Sequence, residues 1–220
     1  VRPLRLSLPL SLCLPLCLAG CTGSLFQSKA VPPTVYQLSA GAPLAAAEPS
    51  AAASAPVIPV DVAVLKPRVS PGLDTERLAI LYPDRRLDYF ADARWSGPLA
   101  EVVQDLAVQV FHAHGNLRTV TEDTSVFASA YWLEIEVTDF QAEYSSAATA
   151  PQAHVHLIAR IGKASDRRIL GRFEADGLKA AAENRLTAIV DAYARAADAA
   201  LEQVAANVAT TLTLSESGEN

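Results

Sequence analysis

The four histidines of this 220-residue chain fall in two pairs, His112 with His114 and His154 with His156. Imidazole is the commonest metal ligand and titrates near neutrality, so such pairs are a first place to look for chemistry. The second pair lies in "AHVHLIARIG", whose alternation predicts a strand. Residues i and i+2 of a strand share a face, so His154 and His156 could pinch one metal ion. The first pair closes a predicted helix, where rings two residues apart point about 200° away from each other. That is a poor chelate, and a histidine there also suits the negative end of the helix dipole. Glu134 and Glu136 share a strand face in the manner of paired glycosidase carboxylates, but no cleft residues accompany them. We read both the carboxylates and the His154/His156 pair as the solvated face of a sheet, with a metal site on His154 and His156 as the minor alternative. No Gly-x-Ser-x-Gly elbow, phosphate loop, Gly-x-Gly-x-x-Gly or His-Glu-x-x-His pattern occurs.

Three cysteines remain, Cys13, Cys17 and Cys21, all within "SLCLPLCLAGC". Arg2 precedes, and Arg5 falls at the head of, an otherwise apolar run from Leu4 to Leu18 that carries Pro9 and Pro15. At about fifteen residues the run is shorter than the ~20 needed to span a bilayer as a helix. A positive start, a short apolar middle and small residues at the end describe a secretion signal. Leu18-Ala19-Gly20-Cys21 resembles a bacterial lipobox, in which the cysteine thiol receives diacylglycerol before cleavage. Residues 1–20 are thus expected to be removed, leaving Cys21 as an acylated first residue bearing diacylglycerol and N-acyl lipid. Each buried methylene contributes about 0.8 kcal/mol, so two or more chains anchor stably. By resemblance to lipoproteins generally, Thr22 in place of aspartate implies export to the outer membrane, on its periplasmic face.

Loss of residues 1–20 removes two arginines and no acids, which takes the formal charge from −6 to −8. An acidic chain argues against non-specific nucleic-acid binding and against adsorption to anionic headgroups as the main attachment. One remaining cysteine excludes an intramolecular disulfide and any multi-cysteine metal site. No cofactor is called for beyond the lipid on Cys21. The length left after signal and tether suits one domain.

The elements that would position these side chains follow from periodicity. Residues 21–33 read as a tether from the lipid, and 34–40 as a first strand. Residues 41–56, rich in Ala, Pro and Ser, read as a loop too poor in large apolar groups to order. Residues 57–67 alternate as a strand, and "RLAILY" and "RLDYFA" flank Pro83-Asp84 as a hairpin. Leu99, Val102, Val103, Leu106, Val110 and Phe111 have helical spacing, with Ser96 as the expected cap and Gly115 as the stop. Three strands follow, with Leu133, Ile135 and Val137, then Val155, Leu157, Ala159 and Ile161, then Ile169, Gly171 and Phe173 on the inner sides. A long amphipathic helix from Leu186 through Tyr193 to Val208 closes the domain at 209, and 210–220 is expected to be a disordered tail. The fold class is α+β: a single domain, 34–209, with a largely antiparallel or mixed sheet and two helices on one face.

The stretch "SPGLDTERLAILYPDRRLDYFADARWSGPLAEVVQDL", residues 70–106, resembles the core motif of the ABC-type transport auxiliary lipoprotein family. The correspondence rests on Tyr36 and Leu38, Leu73-Asp74, Arg77, Tyr82, Tyr89 and Arg94-Trp95, with a looser match through Phe140 to the terminal helix. The resemblance implies a non-enzymatic component of an MCE-type phospholipid-transport system, held at the outer membrane by its lipid anchor. Its implied partner is the MCE-domain protein of that transporter; contact with phospholipid and homo-oligomerisation follow by analogy. The resemblance carries over Tyr82, Tyr89, Arg94 and Trp95 as a partner-contact or architecture-defining set, with packing beside the strand–helix junction as the leading role and contact as the alternative. The competing functions are a periplasmic metal-dependent enzyme built on the histidine pairs, and an envelope or secretion assembly lipoprotein.

Overall fold

The strongest alternation in the sequence becomes the spine of the sheet. The computed structural model describes residues 32–41, 57–123, 128–146 and 149–218. The signal, the lipobox with Cys13, Cys17 and Cys21, nearly all of the tether and all but the first residue of the Ala/Pro/Ser segment lie outside these residues. Of nine strands, β1 is Thr34–Tyr36, β2 Ile58–Val64, β3 Arg68–Val69, β4 Arg77–Leu81 and β5 Leu87–Trp95; β6 is Leu117–Glu122, β7 Tyr131–Glu143, β8 Gln152–Lys163 and β9 Ile169–Ala180. The helices are α1, Leu99–His114, and α2, Leu186–Gly218.

One edge of β7 serves three strands in succession, all parallel to it. Val62–Val64 lie beside Tyr131–Leu133, then Arg68–Val69 beside Glu136–Val137, then Ala79–Leu81 beside Gln141–Glu143. The sheet therefore forks. One arm continues from β2 to β6, and the other from β4 through the antiparallel β5 to β1. Along its other edge β7 pairs antiparallel with β8, and β8 with β9. The sheet is mixed, and the fold is a single α+β domain with two helices.

Both helices bury an apolar stripe against this sheet. Pro98 occupies the start of α1 with φ −52° and ψ 142°, and no side chain caps the helix. Ser96, expected as the cap, is displaced because the proline already supplies the fixed φ that an entering chain needs. Gly115 closes α1 in the left-handed region at φ 63°, as its sequence position implied. Gln104, buried on α1, donates to the Val64 carbonyl at 2.9 Å and to Asp123 at 3.1 Å, so the end of β2 is satisfied from the helix.

The long helix does not stop at 209. It continues to Gly218, because Leu212 is buried and the hydroxyls of Thr210, Thr211, Thr213 and Ser217 donate to carbonyls four residues back. Apolar spacing ends where polar residues begin, but these hydroxyls satisfy themselves within the helix. At β9 the strand is inward at Gly171, Phe173, Ala175 and Gly177, while Ile169 is exposed beyond a register shift. Small residues let α2 approach closely. A Cβ on Gly177 would lie 1.8 Å from the Ala196 carbonyl oxygen, whereas one on Gly162 would meet only the Trp132 ring. A ring can swing aside and a helix backbone cannot. Gly177→Ala is therefore expected to lower the unfolding free energy by about 2–3 kcal/mol, and Gly162→Ala by less, in urea denaturation; equal losses would contradict this account of α2 packing.

Candidate functional site

Two surfaces carry the residues that the sequence singled out. The first is the solvent-facing side of β7, β8 and β9. Glu134 and Glu136 sit side by side there, but two arginines cover them. Arg160 reaches Glu134 at 3.0 Å and Glu136 at 3.4 Å, and Arg68 reaches them at 3.1 and 3.4 Å. The hydrogen bond to Glu134 is the chief reason the Arg160 guanidinium holds its proton more tightly than usual. Both carboxylates of the pair are thus engaged by guanidinium groups. Arg68 was invisible to the pattern because it comes from β3, some 66 residues earlier in the chain.

The histidines are divided rather than gathered. His154 lies between Glu143, 2.8 Å from its Nδ1, and Asp176, 3.4 Å from its Nε2. His156 Nδ1 shares a hydrogen bond with the Thr138 hydroxyl at 2.8 Å. Across the molecule, His112 Nε2–H donates to the Val120 carbonyl at 2.9 Å and ties α1 to β6. His154 and His156 do share a face, but a bulge in β7 at Thr138 gives each its own partners. Among the described residues no three histidine, cysteine or carboxylate side chains come together in a metal-binding group.

The second surface is the β4–β5 hairpin. Tyr82 stacks on Tyr144, with centroids 5.8 Å apart, and the Arg86 guanidinium lies 4.5 Å from the Tyr82 ring. Arg77 lies 4.0 Å from the ring of Tyr89, whose hydroxyl donates to the Gly72 carbonyl at 2.6 Å. Arg94 is half exposed and pairs with Glu76 at 3.3 Å. Trp95 departs from this group. It is 1% exposed, edge-on to Phe140 at 5.9 Å and to Tyr193 at 5.3 Å. Alternation in β5 sends Arg94 outward and Trp95 inward, so the indole is packing and offers no surface to a partner. Tyr144 and Arg86 were missed as members of the hairpin face; an arginine next to a tyrosine-bearing turn was the available signal for Arg86.

Two shallow grooves lie elsewhere, at the end of the sheet where β8 turns into β9. One, of about 400 Å³, is lined by Leu65, Trp132, Glu134, Ala164 and Arg167. The other, of about 480 Å³, lies against the last turns of α2. No described helix is long and apolar enough to cross a membrane.

Comparison with known proteins agrees with this architecture. The family model described as "ABC-type transport auxiliary lipoprotein component" matches residues 36–209. A crystal structure of a Xanthomonas campestris protein superposes with a TM-score of 0.63 at 22% identity, covering 85% of this chain and 100% of that one. An uncharacterised protein follows with a TM-score of 0.59 at 13% identity, covering 82% of this chain and 98% of its own. A hypothetical protein from Chlamydia trachomatis gives 0.50 at 9% identity, covering 70% and 98%. At these identities the structures share the fold. No curated protein matches the chain.

The environment of His154 generates a pH test. Burial alone would lower its pKa, but hydrogen bonds with Glu143 and Asp176 and the nearby Glu143 and Asp139 charges outweigh it, so the folded value is raised. The stabilisation is then complete below the unfolded value of about 6.5 and is lost as pH rises through the folded value. His154→Gln should be less stable than the parent at pH 6, by up to about 1 kcal/mol, and should converge with it by pH 9. A deficit that grows toward pH 9 would contradict the charged pairing.

Proposed function

The chain belongs to the ABC-type transport auxiliary lipoprotein component family, and from that membership we propose that it is a non-catalytic docking component of an MCE-type phospholipid transporter. The family match over 36–209 carries the reading, because it spans the folded domain and identifies an auxiliary component of ABC-type transport. The transporter's MCE-domain protein is the proposed partner, and phospholipid the proposed cargo. Cys21, with its lipobox, provides the anchor by acylation and sets the domain on the periplasmic face of the outer membrane. In this arrangement residues 1–20 are the discarded signal and 21–33 the tether.

The chemistry of the two surfaces fits a binding role. The carboxylates and histidines that would have to act as acid, base or ligand are spent on neighbouring side chains. The β4–β5 hairpin instead offers ring faces and guanidinium groups, which bind by contact and charge. Tyr82, Tyr89 and Arg94 form the face we assign to the partner or its lipid, and Trp95 fixes that strand from inside.

The test is an in-cell crosslinking pull-down of the lipidated protein, with a Cys21→Ser control and identification by mass spectrometry. The expected result is an MCE-domain protein whose recovery depends on Cys21. Reproducible recovery of other envelope proteins with no MCE-domain protein would sink the transport assignment.

A further inference from the structure

The β8–β9 turn presents a combination that neither the core nor the hairpin accounts for. Ile169 is 56% exposed and Leu214, on the neighbouring turns of α2, is 70% exposed. Single exposed apolar residues are ordinary. These two, however, stand at one end of the sheet with a groove on either side of the turn that separates them. The first groove has Leu65 and Trp132 in its wall; the second has Leu170 and Leu214.

The turn itself is held in place. Lys163 N–H donates to the Arg168 carbonyl at 2.9 Å, and Arg168 N–H to Asp166 Oδ1 at 3.1 Å. Arg167 sits in the left-handed region at φ 58°, a conformation that a non-glycine residue adopts only when its surroundings impose it. Arg167 lines the first groove and has no ion-pair partner among the described residues. Arg168, lining the second, has only Asp166 at 3.7 Å. The one carboxylate in the first groove, Glu134, is already neutralised by Arg160 and Arg68. A chain of net charge −6 thus places one arginine without an ion-pair partner among the described residues, Arg167, beside an apolar hollow at this end.

We infer that this end of the domain is a protein-docking surface whose partner presents apolar side chains flanked by a carboxylate. Apolar groups fill the two hollows, and a carboxylate meets Arg167. Two concave grooves on either side of a rigid ridge suit separate side chains, whereas a lipid surface is flat and offers nothing to enter them. The inference rests on the adaptor reading, under which the occupant is a segment of the MCE-domain protein, and it adds a surface distinct from the hairpin.

The test uses the full mature protein, the soluble periplasmic part of the MCE-domain protein, and vesicles of phosphatidylethanolamine with phosphatidylglycerol. Arg167→Glu and Leu214→Asp alter exposed side chains, and Arg185→Glu, exposed at the start of α2, is the matched charge control. Circular dichroism checks that each variant is folded. Both turn-end variants should weaken binding to the MCE-domain protein at least tenfold, with the control unchanged. A photocrosslinker at position 169 should form an adduct with that protein. Wild-type affinity in both variants, or no adduct, overturns the docking surface and leaves the adaptor reading standing. Binding of the parent to vesicles but not to the MCE-domain protein, abolished by Arg167→Glu, overturns it in favour of a lipid surface. No binding to either probe removes both the inference and the adaptor reading.

Discussion

Three rings hold the hairpin arm of the forked sheet to its central strand and to the long helix. Trp95 from β5, Phe140 from β7 and Tyr193 from α2 meet with centroids 5.3 to 5.9 Å apart, Phe140 and Tyr193 stacked and Trp95 edge-on to both. Tyr193 is wholly buried, so its hydroxyl needs an acceptor, and it donates to the Ala79 carbonyl of β4. Burial pushes the phenol well above its ordinary pKa, so it stays a neutral donor. Four elements converge on this one site. Without it the hairpin arm would have little to fix its angle to β7.

The fork makes such a fastening necessary. An ordinary sheet edge accepts one neighbour, but β7 accepts β2, β3 and β4 in turn, all parallel to it. β7 can do this because its inner residues Leu133, Ile135 and Val137 are completely buried, while its other edge pairs with β8 almost throughout. The hairpin arm carries its tyrosines and arginines to one end of the domain, and the β8–β9 turn carries Arg167 and Arg168 to the other.

The outer face of the same strands shows why residue types alone mislead about catalysis. Paired carboxylates and paired histidines are the raw material of active sites, yet here each charge meets an opposite charge on a neighbouring strand. In water such exposed pairs contribute little individually. Together they cover a wide, half-wet sheet face with matched charge.

Much of the fold was legible from local rules. Alternation identified the inner faces of β7 and β8, the Pro83-Asp84 turn marked the β4–β5 hairpin, and Gly115 marked the end of α1, because each is set by neighbours in sequence. The motif at 70–106 likewise carried the family. Other features depended on residues far apart in the chain. Arg68 on the Glu134/Glu136 pair, the β7 bulge that gives His154 and His156 different partners, and the three parallel neighbours of β7 come from strand pairing, which periodicity does not encode. The inward turn of Trp95 and the close approach of Gly177 to Ala196 are likewise packing outcomes. The continuation of α2 to Gly218 misled for a related reason: apolar spacing stopped, but hydroxyl-to-carbonyl bonds and one buried leucine, Leu212, carried the helix on. The sequence by itself determined the elements, the acidic charge and the family pattern, since these are local or additive. Only the tertiary structure decided which charges are spent and which remain free to bind, since that depends on what each side chain meets across the sheet.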